Sequence, residues 1–160
     1  MIEITTDIDE VYNAFSNFTS KEMKKSLTAG LKKGLTAVRN ESRRYLKSWY
    51  PNAAKNNSKK WDNSLTNDIR LSKIFENEHL FSGLVLATSK RNNSKSGAFR
   101  LKFFEKGTAL RKTRKGYNRG SIYGVSFMKN TADTMESYVN KTMEEAFSEA
   151  VKKINNTKWK

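Results

Sequence analysis

The stretch TSKEMKKSLTAGLKKGLTAVRNESRRYLKSWY, residues 19–50, predicts a long amphipathic helix as the first major element of the fold. Its apolar positions recur every three or four residues, which places them on one face, with lysines and arginines opposite. That stripe comprises Met23, Leu27, Leu31, Leu35, Val38, Ser42, Tyr45 and Trp49. Thr19 to Glu22 has the spacing of a capping box, and Pro51 ends the helix because proline donates no backbone hydrogen bond.

Two glycines, Gly30 and Gly34, lie one turn apart inside this helix. Each costs about 1 kcal/mol relative to alanine in a helix interior. Two interpretations stay open. The glycines are tolerated weak points, or they allow a second helix or strand to approach closely.

Between the helices the pattern predicts strands. An Asn-, Lys- and Ser-rich loop covers 52–62, and a hairpin pairs 65–75 with 80–88 around a turn at 76–78. Alternating aromatic residues predict a third strand at 99–103, and residues 122–127 a fourth. Residues 9–18 could form a short helical turn within an acidic N-terminal segment, residues 1–18.

The C-terminal region predicts a second long helix, residues 130–155, capped by Asn130 or Thr131. Its apolar residues keep helical spacing, and its polar face carries Asp133, Glu136, Glu144, Glu145 and Glu149. We therefore expect one α+β domain, 1–160, with the N- and C-terminal helices packed on a small, mostly antiparallel sheet of about four strands. The sheet region spans 64–127 and contains a long basic loop, 89–120.

Positive charge is concentrated in that loop region. The chain carries a formal net charge of +15, and residues 90–119 contain eleven lysines and arginines but one acid, Glu105. Such a cluster creates a directed positive field that favours a negatively charged partner. Phosphates require only charge, so transient contact with DNA is one expectation. The predicted basic interaction residues are Arg100, Lys102, Lys106, Arg111, Lys112, Arg114, Lys115 and Arg119.

Composition excludes several classes of protein. The chain has no cysteine, so it has no disulfide or thiolate site, and it has no apolar run long enough to span a membrane. The acidic first twenty residues do not resemble a secretory signal, and we expect a protein of a reducing cytoplasm or of a particle assembled there. The single histidine, His79, lies in the predicted turn beside Glu76 and Glu78, with no evident nucleophile and no partner histidine. We expect no enzyme activity, metal or cofactor.

The apolar share of 36% is low and predicts a thin core. Either the basic loops are partly disordered, or the subunit completes its burial against copies of itself. In the second case the acidic helix and the basic loop of neighbouring subunits would help to fix the register of a ring.

Glu105 stands in the fragment Phe104-Glu105-Lys106-Gly107-Thr108. From the residues alone it could hold nearby arginines, bond backbone amides at a turn, or be an ordinary exposed acid.

With the order of elements around it, this fragment resembles the tail-completion or head-to-tail joining proteins of long-tailed bacteriophages, the neck and minor tail proteins similar to lambda protein Z. In that family an aromatic-Glu-x-Gly-Thr motif precedes a variable loop, and a Phe-containing segment leads into the last helix. The matching positions here are Phe104, Glu105, Gly107, Thr108, Phe127 and Ala132. The chain departs from the family in lacking prolines around Phe127.

The resemblance implies a structural virion protein without enzymatic activity, located in the tail or neck and assembled in the bacterial host cytoplasm. It implies a ring-type homo-oligomer such as a hexamer, with tail-tube, tail-terminator or head-connector proteins as partners and no membrane. The alternative function is a basic nucleic-acid-binding module that uses residues 90–119.

Overall fold

The computed structural model describes residues 2–7, 20–51, 65–76, 80–87 and 97–157. The elements in chain order are strand β1 (Ile2–Asp7), helix α1 (Ser20–Trp49), a 3-10 turn (Leu65–Asp68), strands β2 (Ile69–Leu71), β3 (Phe75–Glu76) and β4 (Leu80–Ala87), and helices α2 (Gly97–Lys106) and α3 (Phe127–Thr157). The predicted α+β class and its two long helices are confirmed. The predicted turn at 9–18, the loop at 52–62, the capping box of Thr19 and the turn with His79 lie outside the described residues.

The two long helices pack directly against each other in opposite directions. Gly30 faces Ala146, Gly34 faces Val139, and Tyr45 accepts a hydrogen bond from Asn130. A Cβ on Gly30 would lie closer than 3.0 Å to the Cβ of Ala146. Of the two interpretations of these glycines, close approach of a second helix is therefore the one that the structure shows.

Strand β4 organises the sheet because the other strands pair with it, all antiparallel. β1 pairs from Ile2 opposite Val85 to Asp7 opposite Leu80, β2 pairs along the other edge, and β3 continues beside Phe81 and Ser82. The predicted hairpin is present, although residues 65–68 form a 3-10 turn instead of strand. β1 was not predicted, although Ile2 and Ile4 alternate with Glu3 and precede the β-branched Thr5 and Thr6, which is a strand pattern.

Two predicted strands are wrong. Residues 99–103 lie in helix α2, where Phe99 and Phe103 stack edge-on one turn apart, with ring centroids at 4.8 Å. Alternation in so short an apolar run does not distinguish a strand from a helix. Residues 122–126 form no strand, and Phe127 already begins α3, three residues before the predicted cap.

The core lies where α1 meets α3 on one side and the sheet on the other. Its largest fully buried side chains are Phe127, Leu31, Leu35, Leu46, Ile69 and Leu101. Trp49, which the predicted stripe includes, is 55% exposed. The buried face of α1 ends with Leu46, one turn before Trp49.

Candidate functional site

Residues 108–122 form a largely exposed hairpin with one β-bridge, between Lys112 and Asn118, and we call it the basic arm. Its two sides are joined by main-chain hydrogen bonds between Thr108 and Ile122 (2.9 Å), between Arg111 and Gly120 (3.0 Å), and between Thr113 and Tyr117 (2.8 Å). An extended residue advances about 3.4 Å, so the five steps from Thr108 to Thr113 reach roughly 17 Å. The arm is therefore an ordered hairpin.

The tip of the arm is a tight turn. The Gly116 amide donates to the Thr113 carbonyl at 2.9 Å, and Gly116 adopts a φ of 84°. This left-handed conformation costs glycine little, which explains why the turn has glycine there. The Thr113 hydroxyl also accepts from the Tyr117 amide at 3.0 Å, which fixes the turn from its other side.

The arm holds five cations and no acid. Arg111, Lys112, Arg114, Lys115 and Arg119 are all exposed. Within the described ranges none of the five forms an ion pair with an acid. Tyr117 and Leu110 are 70% and 59% exposed on the same arm. The arm thus presents concentrated positive charge together with apolar surface.

The base of the arm is fixed by Glu105, which links helix α2 to helix α3. Its carboxylate accepts hydrogen bonds from the backbone amides of Met128 at 2.9 Å and Lys129 at 3.3 Å. These amides belong to the first turn of α3, which has no internal acceptors for them, and a negative charge there is favoured by the helix dipole. Of the three roles considered for Glu105, the bonding of backbone amides is the one observed.

The backbone carbonyls at the end of α2 complete this junction. Phe104 accepts from the Val125 amide at 2.9 Å and Glu105 from the Ser126 amide at 3.1 Å. Ser126 has a φ of 46°, which is unusual for a residue other than glycine, and it directs the chain into α3. The end of one helix and the start of another are therefore locked together where the arm leaves the body.

Two glycines allow the first and last residues of the arm to pack backbone against backbone at its base. Gly107 has a φ of 78°, and a Cβ on Gly124 would lie 2.5 Å from the Gly107 nitrogen. The Thr108 hydroxyl accepts from the Ile122 amide at 2.9 Å, and the Tyr50 hydroxyl donates to the Tyr123 carbonyl. Sequence reasoning found Gly107 and Thr108 but missed Gly124 and Ser126, although the glycine pair flanking the arm was a usable signal.

The other predicted motif residues belong to the core around this junction. Phe104 packs on Tyr50 with ring centroids at 4.6 Å, and Phe127 is fully buried at the start of α3. Ala132 is half-buried against the core on the same helix. The motif therefore builds the support of the arm.

The predicted basic loop, 89–120, is not one loop, which corrects the expectation for Arg100, Lys102 and Lys106. All three lie on helix α2, because residues 97–106 are helical. Lys102 and Lys106 are exposed, whereas Arg100 is half-buried. Sequence order had grouped these cations with the arm, but the helix separates them from it.

Arg100 belongs to a buried charged group beside the 3-10 turn. Burial raises the pKa of Asp68, and the positive charges of Arg70 and Arg100 oppose that shift. Arg70 lies 3.5 Å from the Asp68 carboxylate. Nearby, desolvation and the charges of Arg39 and Arg70 lower the pKa of Arg43, which donates to the Ile69 carbonyl at 2.8 Å. The hydrogen bond from Arg43 to Ile69 joins α1 to β2.

Helix α3 carries charge of the opposite sign to the arm. Between Asp133 and Glu149 it has five acids and one lysine, a net charge of −4, and all five carboxylates are exposed. Among the ion pairs of the described residues, one involves this segment, between Lys33 and Glu145 at 3.9 Å. The acidic segment, residues 133–149, is therefore largely available to an external partner.

Comparison with known proteins gives no relative: no family model, curated protein or solved structure matches the chain. None of the described helices is both long and apolar enough to cross a membrane. In the part of the chain that the structure describes, no three histidine or acidic side chains are grouped as metal ligands.

Proposed function

We propose that this protein is a structural subunit of a tailed-phage or prophage virion, of the tail-completion or head-to-tail joining type, which acts through contacts with other protein subunits. The main support for this proposal is the basic arm, an exposed hairpin whose five cations have no acidic partner among the described residues. An ordered hairpin of this kind suits insertion between neighbouring subunits, and a self-association contact is repeated in every copy of a ring.

The junction beneath the arm supports this proposal. A flexible basic tail would lose conformational entropy on each contact, whereas an arm already held by backbone hydrogen bonds loses less. Glu105, Gly107 and Thr108, the residues on which the phage resemblance rests, hold the base of the arm in place. The acidic segment offers a complementary surface for a ring-type homo-oligomer such as a hexamer.

The first experiment is size-exclusion chromatography with light scattering, followed by mixing with tail-tube, tail-terminator and head-connector proteins. The expected result is a discrete oligomer, or a complex of fixed stoichiometry with one of these partners. A chain that stays monomeric and binds none of them contradicts the proposal.

A second candidate function is nucleic-acid binding through the arm, favoured by the exposed Tyr117 among five cations, since an aromatic ring can stack on an unpaired base. Each phosphate contact contributes about −0.9 to the slope of log affinity against log salt on duplex DNA, so five contacts give a slope of roughly −4.5. Fluorescence anisotropy with duplex and single-stranded oligonucleotides measures this slope. No binding at low salt removes this candidate.

A further inference from the structure

The basic arm and the acidic segment of α3 are two exposed surfaces of opposite charge. They belong to one chain, but no arm cation is ion-paired with an α3 acid among the described residues. The arm contains no acid, and the acidic segment keeps a net charge of −4 with one ion pair in the described part of the chain, between Lys33 and Glu145, so each surface can attract a partner of opposite charge. A second copy of this chain provides both partners at once.

We propose that the basic arm of one copy docks along the acidic segment of α3 in a second copy, in a head-to-tail contact. This inference rests on the proposed function, because it specifies the contact by which the subunits of the oligomer associate. The charges are opposite in sign and similar in size, +5 on the arm and a net −4 on residues 133–149. The contact is heterologous, since two different surfaces meet, and such contacts build rings or filaments instead of closed pairs.

The dimensions of the two surfaces agree. The sixteen steps from Asp133 to Glu149 span about 24 Å along a helix, and the arm reaches roughly 17 Å. At about 100° per residue, Glu136 and Glu144 lie roughly 60° and 20° to opposite sides of Asp133, so the three carboxylates share a helical face about 80° wide. Arm cations can therefore meet several carboxylates in a single orientation. Leu110 and Tyr117 add apolar surface that the contact would bury.

The net charge of +15 on every copy opposes association at long range, so the contact must depend on groups that face each other. At physiological ionic strength the screening length is about 8 Å, which suppresses repulsion between distant charges but preserves pairs in contact. Assembly should therefore occur near physiological salt and weaken towards 1 M salt, where screening falls to about 3 Å.

The test uses charge reversal on the full chain. The arm variant is Arg111→Glu, Arg114→Glu and Lys115→Glu, and the α3 variant is Asp133→Lys, Glu136→Lys and Glu144→Lys. All six positions are exposed, so both variants should keep the fold, which circular dichroism and thermal unfolding check. We expect each variant to weaken self-association at least about tenfold, measured by light scattering across a concentration series.

Two further variants separate local pairing from overall charge. A control with Lys32→Glu, Lys47→Glu and Lys73→Glu changes exposed lysines outside the arm and the acidic segment, and the net charge falls by six just as in the arm variant. It should assemble as the unchanged chain does. A chain with both the arm and the α3 reversals has an acidic arm and a basic segment, so it should assemble again.

The outcomes distinguish this inference from the proposed function. If the unchanged chain neither self-associates nor binds a phage partner, the proposed function and the docking inference are both overturned. If it binds a phage partner but does not self-associate, the proposed function stands and only the docking inference is overturned. If the chain assembles but the arm or α3 variant does so equally well, or the double reversal fails to restore assembly in a folded protein, only the inference is overturned.

Discussion

The close contact between α1 and α3 makes opposite predictions for two glycines in the same helix. Replacing Gly30 by alanine places a methyl group in overlap with the Cβ of Ala146, closer than 3.0 Å. Replacing Gly34 places a methyl group 3.2 Å from Cγ1 of Val139, a side-chain atom that can shift slightly. Both substitutions favour the helix equally, so the difference between them measures the contact.

The magnitude follows from two opposing terms. Alanine gains about 1 kcal/mol over glycine in a helix interior. Overpacking of a well-filled interface costs about 1–3 kcal/mol. At Gly30 the direct overlap with the Cβ of Ala146 places the steric cost in the upper part of that range, about 2–3 kcal/mol, so we expect a net loss of about 1–2 kcal/mol. At Gly34 the terms nearly cancel or favour alanine, giving a change between about zero and a gain of 1 kcal/mol.

Thermal unfolding followed by circular dichroism is the assay. For a chain of this size 1 kcal/mol shifts the Tm by about 2–4 °C, so Gly30→Ala should lower it by about 2–8 °C. Adding Ala146→Gly to Gly30→Ala removes the opposing methyl group, so the double variant should recover most of the steric loss. It still carries the cost of about 1 kcal/mol for a glycine inside α3. Equal stabilisation by Gly30→Ala and Gly34→Ala, without coupling to Ala146, would refute the close contact.

Three further predictions concern the arm junction and the buried acid. Glu105→Ala removes the acceptor of the Met128 and Lys129 amides together with the charge at the start of α3, and should cost about 1.5–3 kcal/mol in urea unfolding, whereas no change would exclude a capping role. Gly124→Ala forces a methyl group against backbone atoms 2.5 Å away, whereas a methyl group at Gly116 meets no atom within 4 Å. Gly124→Ala should therefore lower the Tm much more than Gly116→Ala. Similar losses of Tm would contradict the close backbone contact at the base of the arm. Burial raises the pKa of Asp68 in the folded protein, so its protonated form contributes stability at low pH, and this contribution is lost as pH rises through the folded pKa. The free energy of unfolding of the unchanged chain, relative to that of Asp68→Asn, should therefore fall as pH increases from about 3. A flat difference between these two proteins across that range would show that Asp68 has the same pKa when folded and unfolded.

The amino-acid sequence determined the elements whose signals are long and periodic. α1 and α3 each extend over many turns, so repeated apolar residues such as Leu27, Leu31 and Leu35 identify a buried face independently of what covers it. The hairpin ending in β4 was likewise visible from local pattern. The concentration of charge in the arm was also evident, because net charge is a sum over residues.

Tertiary structure decided what short or isolated signals could not. The pattern of residues 97–106 is too short to distinguish the period of a helix from that of a strand. They form a helix in the structure, where Leu101 is buried in the core and Phe99 stacks on Phe103. The role of Glu105 depends on amides 23 and 24 positions later, and that of Gly30 on Ala146. Such contacts join residues that are distant along the chain, so only folding brings them within bonding distance.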